Sequence, residues 1–144
     1  MVEKALEKAE NLRQARQLDE ARETLIDALE HGVEIAQIYY RLGNIYFDLK
    51  DYDKAEYTYR RAIDTDPKHI NAHHNLSVVF RKQNRIAESI KQRKKASKIA
   101  RQNPDKIEFS EDQVKTLKGF ARKIIWFGLG LVGLIIVLVL ILIS

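Results

Sequence analysis

Cysteine is absent from this chain of 144 residues, which excludes disulfides, zinc–thiolate sites and thiol catalysis. The N-terminal stretch MVEKALEKAENLRQA has no apolar core, so a cleavable secretory signal is not expected, and this part should stay on the side where it is made. No Ser/His/acid arrangement, no pair of catalytic carboxylates and no phosphate loop stands out; no enzyme and no cofactor are expected. The one cluster of ligand type, His69, His73 and His74, has no cysteine or carboxylate close by in sequence. It reads as structural rather than as a metal site. Charge, finally, is missing after Lys123. The chain is 31% charged and 45% hydrophobic, ordinary for a globular protein, but those averages conceal two ends suited to different solvents.

What the charge-free end contains is a run from Ile124 to Ile143, IIWFGLGLVGLIIVLVLILI. At about 1.5 Å per residue it spans roughly 30 Å, the thickness of a bilayer's hydrocarbon core, and residues 124–143 are therefore predicted to be a transmembrane helix. Lys115, Lys118, Arg122 and Lys123 precede the run and only Ser144 follows it. That asymmetry predicts a single-pass, tail-anchored chain with its N-terminal domain cytoplasmic and its C-terminus across the bilayer. Upstream, FSEDQVKTL carries a capping box in Ser110 and Gln113 and a staple in Phe109 and Val114, which predicts a juxtamembrane helix over 111–123 after a hinge at 104–110. GLGLVG, from Gly128 to Gly133, has the spacing of a dinucleotide-binding turn, but it lies inside the apolar run and no acidic residue follows it. Gly128, Gly130 and Gly133 instead predict close packing by helices of other transmembrane subunits.

The rest of the chain repeats itself. AQIYYRLGNIYFDLKDYDKAEYTYRRAIDTDPKH, residues 36–69, places Tyr39, Leu42, Gly43, Tyr46, Ala55, Tyr59, Ala62 and Pro67 in a recurring pattern. Thirty-four residues later His73, Leu76, Ser77, Phe80, Ser89, Ala96 and Arg101 fall on the same places, and thirty-four earlier so do Ala9, Leu12, Ala21, Leu25 and Ala28. The pattern resembles the tetratricopeptide repeat. The small residues Gly43 and Ala55 stand where two antiparallel helices approach, and Ala62 where the next repeat docks. The expectation is an all-α solenoid of three helical hairpins, 2–35, 36–69 and 70–103, followed by the long C-terminal helix that enters the membrane.

In proteins of this kind the first helix of each repeat lines a concave groove that holds a protein or peptide. The resemblance places there Tyr40, Asn44 and Phe47 from the middle repeat and Asn71, His74, Arg81 and Lys82 from the third, with Glu10, Arg13, Gln37, Asp48 and Val78 beside them. Tyr40 and Phe47 either face a bound partner or pack against the next repeat. Relatives that grip acidic chaperone tails do so with a set of lysines, an arginine and asparagines. Only Asn44 matches that set; Leu6, Glu10, Asn71 and Asn75 stand at its other places, so that ligand is not expected.

Charge is polarised along the repeats: net −4 over residues 1–35, zero over 36–69 and +8 over 70–103. Lys91, Lys94, Lys95, Lys98 and Arg101 carry most of the excess, and with Lys118, Arg122 and Lys123 they predict attraction to anionic lipid headgroups. No aromatic is interleaved in this run, so nucleic acid is not the expected partner. A membrane-anchored interaction scaffold, acting as an assembly factor or accessory subunit of a membrane complex, fits best. The alternatives are a lipid-binding or membrane-shaping adaptor and an organelle-surface adaptor resembling the mitochondrial fission receptor.

Overall fold

The computed structural model describes residues 2–104, 118–125 and 127–128. The chain divides into two compact units, Met1–Ile107 and Glu108–Ser144. The first contains six helices, α1 (Val2–Gln14), α2 (Leu18–Leu29), α3 (Ile35–Asp48), α4 (Tyr52–Thr65), α5 (Ile70–Lys82) and α6 (Ile86–Gln102), and no strand occurs among the described residues.

The helices pair as α1 with α2, α3 with α4 and α5 with α6, and each pair packs on the next. The turn inside each pair is the same structure made three times. Arg16, Lys50 and Asn84, spaced 34 residues apart, all adopt the left-handed conformation at φ 64°, 62° and 60°. The next residue's N–H then reaches back five positions: Gln17 to the Leu12 carbonyl, Asp51 to Tyr46 and Arg85 to Phe80. This closes the orphan carbonyls at a helix end without glycine, although each left-handed side chain costs about 1 kcal/mol or more. Asp51 then caps α4 by accepting from the Lys54 N–H, and His69 caps α5 through Nδ1, accepting from the Ala72 N–H.

Two clusters form the core. Val2, Leu6, Ala9, Ala21, Leu25, Ala28, Ile38, Leu42 and Ile45 join the first pair to α3. Tyr40, Ala55, Tyr59, Ala62, Ala72, Leu76, Val79 and Phe80 join the second pair to α5, and Tyr39 and Tyr46 pack against both clusters. Gly43 is small for a physical reason: a Cβ there would lie 2.5 Å from the Tyr59 ring. In the third pair serines occupy the corresponding small positions, and the Ser89 hydroxyl donates to the Ser77 carbonyl at 2.7 Å, so a polar group can stand where the helices cross. With Arg93 in place of an aromatic, α6 buries only Ala96 and Ile99.

In the second unit residues 118–125 are helical. The expected hinge beyond Pro104, the start of the 111–123 helix, and nearly all of the 124–143 span, Gly130 and Gly133 included, lie outside the described residues; Lys118, Arg122, Lys123 and Gly128 lie within them and are exposed. Among the described residues no helix is long and apolar enough to cross a membrane.

Candidate partner-binding groove

The first helices α1, α3 and α5 lie side by side, and polar side chains tie each to the next. Glu10 on α1 is the centre of the first tie. It accepts from Arg13 at 2.7 Å and from Arg41 on α3 at 2.6 Å, while Arg13 also reaches Asp48 on α3 at 2.7 Å. Burial would raise the Glu10 carboxyl, but the hydrogen bonds and charges of Arg13 and Arg41 outweigh it and hold the group below its ordinary value. Arg13 is likewise held protonated by Glu10 and Asp48 against the cost of its own burial.

The second tie joins α3 to α5. The Tyr59 hydroxyl donates to Asn44 Oδ1 at 2.7 Å, and Asn75 donates to the same oxygen at 2.9 Å. Burial of the Tyr59 ring pushes its phenol well above the ordinary tyrosine value, so it stays a donor. His69, whose Nδ1 accepts from the backbone, turns Nε2 to Gln37 Oε1 at 3.1 Å. With Nδ1 accepting from the Ala72 N–H, the proton sits on Nε2, which donates to Gln37.

These bonds revise part of the sequence expectation. Tyr40 is 7% exposed and its ring lies 4.8 Å from that of His69 and 6.1 Å from that of Tyr59. It packs between the second and third repeats and is not a groove contact, the reason being that α5 closes over it. Leu6 and Glu10 are buried too. Phe47 is half-buried against Tyr52, with ring centroids 5.6 Å apart. Asn44 is engaged by Tyr59 and Asn75, and Asn71 is half-buried. His74, Arg81 and Lys82 are exposed along one face of α5. His73 is fully buried, with Nδ1 2.8 Å from Gln92 and Nε2 3.1 Å from the Pro67 carbonyl, so the histidines are dispersed among caps and core. Among the described residues no group of three or more His, Cys, Asp or Glu side chains is placed to hold a metal ion.

Sequence reasoning missed the tie of Glu10, Arg13, Arg41 and Asp48. Charges on an isolated helix read as a solvated face; the signal was the 31-residue separation of Glu10 and Arg41, close to one repeat.

Residues 6–70 match the family model named tetratricopeptide repeat. The fold is that of tetratricopeptide proteins. Among solved structures the chain is similar to that of MamA, at 22% identity with a TM-score of 0.67 over 73% of this chain and 61% of MamA. It is similar to the type III secretion translocator chaperone SycD of Yersinia enterocolitica, at 17% identity and a TM-score of 0.68 over 85% of this chain and 92% of SycD. It is also similar to the second tetratricopeptide domain of Spaghetti (RPAP3) bound to an HSP90 peptide, at 12% identity and a TM-score of 0.64 over 68% and 91%. The chain thus spans about three-fifths of the length of MamA. Among curated proteins none matches it in sequence.

Proposed function

We propose that this tetratricopeptide stack captures a segment of a protein partner along its first-helix face, as an assembly factor or accessory subunit at a membrane. The observation that carries the reading is the division of labour on that face. Glu10, Asn44, Tyr59, Asn75 and Gln37 are spent on holding the helices together, whereas His74, Arg81 and Lys82 on α5 are exposed and Phe47 on α3 is half-buried. A partner with an apolar side chain for Phe47 and carboxylates toward α5 matches that layout.

Support comes from the type of fold, since the Spaghetti domain was solved with a bound peptide and SycD is a chaperone. The residues used differ from a chaperone-tail clamp, because Asn44 is already engaged by Tyr59 and Asn75. The apolar run 124–143 and its basic flank support a single-pass anchor with the stack on the cytoplasmic side.

Affinity purification of the tagged chain from its native source in mild detergent tests this. Phe47→Ala combined with Arg81→Glu and Lys82→Glu is expected to lower recovery of the principal partner by about tenfold, as loss of an interface aromatic and two charges would. Tyr40→Ala is unsuitable, since it empties the core. Undiminished recovery with the triple variant would remove this face from the binding site.

A further inference from the structure

Five cations line the outer side of α6. At about 100° per residue Lys91, Lys94, Lys95, Lys98 and Arg101 fall within roughly 120° of the helix circumference, centred about 130° from the buried face. That buried face carries Ala96 and Ile99. All five cations are exposed, and among the described residues none of them forms an ion pair. Elsewhere the contrary is common: Arg13, Arg22, Arg41, Lys54, Arg60 and Arg85 each hold a carboxylate. The one acidic residue of α6, Glu88, is taken by Arg85. Beside the stripe Ile86 and Ile90 are 53% and 41% exposed.

Four of the five are lysines, compact hydrated charges that meet a diffuse anionic surface without the paired geometry a single carboxylate or phosphate invites. No aromatic interrupts them, so the stacking that holds single-stranded nucleic acid is missing. The apolar run begins within about twenty-five residues of Arg101, which brings a bilayer within reach. We propose that the outer face of α6 lies on anionic phospholipid headgroups, with Ile86 and Ile90 at the edge of the contact. This inference rests on the membrane attachment proposed above. Its consequence is orientation: with the outer side of α6 on the lipid, the first-helix face stays open to a partner.

The test uses the full chain with nanodiscs of phosphatidylcholine alone or mixed with phosphatidylglycerol, and amine labelling read lysine by lysine by mass spectrometry. Lys91, Lys94, Lys95 and Lys98 are expected to label several-fold more slowly in the mixed discs, Lys4 and Lys8 at the same rate in both, and the difference is expected to vanish at high salt. Replacing the five cations by glutamine should abolish the preference, at about fivefold in association per cation removed. Equal labelling in the two discs would overturn the proposal. So would protection that grows with protein density in neutral discs, which would put a second copy's acidic α2 on the stripe, or protection by added RNA in place of lipid. Incorporation into neutral discs separately reports the apolar run. A chain that ignores neutral discs yet binds mixed ones would support the α6 contact and remove the transmembrane span.

Discussion

Gly43→Ala is expected to lower the melting temperature of the first unit by roughly 5–15 °C, a loss of about 1–2 kcal/mol. Helix propensity alone argues the other way, since alanine is better than glycine in a helix by about 1 kcal/mol. Packing decides. The new methyl would sit 2.5 Å from Cε1, 2.6 Å from Cδ1 and 2.9 Å from Cζ of Tyr59. The ring has no room to give way: it is 1% exposed and its hydroxyl is fixed by Asn44 and Asn75. The helices α3 and α4 must therefore separate, and overpacking of this kind costs about 1–3 kcal/mol. Gly43→Val, with two further carbons and a β-branch, should leave the middle pair unable to close. Circular dichroism melts of wild type, Gly43→Ala and Gly43→Ala with Tyr59→Leu decide the matter. The smaller partner should recover much of what the alanine loses, and a single variant as stable as wild type would show that the contact is not tight.

Removing the Glu10 carboxylate is expected to cost about as much or more. Glu10→Ala leaves Arg41 without its carboxylate and Arg13 with Asp48 alone, and breaking a buried pair by deleting one partner costs about 3 kcal/mol. Glu10 and Arg13 have side chains only 9% and 19% exposed, and Arg41 28%, so solvent screens this group poorly. Glu10 also makes the unit acid-sensitive. Its folded carboxyl titrates below the ordinary value of 4.5, so the stability it contributes is fully present above that pH and is lost as the pH falls through the lower folded value. Denaturant midpoints measured from neutral pH downward should therefore decline for wild type below about pH 4.5 and decline less for Glu10→Gln. Parallel curves would remove Glu10 from the account of acid unfolding.

Much of the fold was legible because the repeat encodes packing in residue size. Gly43, Ala55, Ala62 and Tyr59 could be placed from sequence since close approach admits few alternatives. The turns were not legible. Arg16, Lys50 and Asn84 take a conformation that glycine usually signals, and only the 34-residue spacing of three dissimilar residues betrays it. Tyr40 and Phe47 share one helix face two turns apart, so their spacing could not tell a ligand contact from an inter-repeat contact; α5 packing over Tyr40 does. The groove's polar members were named one by one from the repeat register, but which of them were already spent on each other depends on neighbours about a repeat away.

The ties along the inner face have a mechanical consequence. Arg13 to Asp48, Arg41 to Glu10, Asn75 to Asn44 and His69 to Gln37 all join one first helix, or its cap, to the adjacent one. Like stitches along the inside of a bend, they set the arc at which successive hairpins can lie, whereas among the described residues the second helices are joined by one such bond, from Arg85 at the start of α6 to Glu56 on α4. Glu10→Gln with Asn44→Ala is expected to straighten the stack, visible as a larger radius of gyration in small-angle scattering. The span that the proposed partner would match is thus written in side chains that need never touch it.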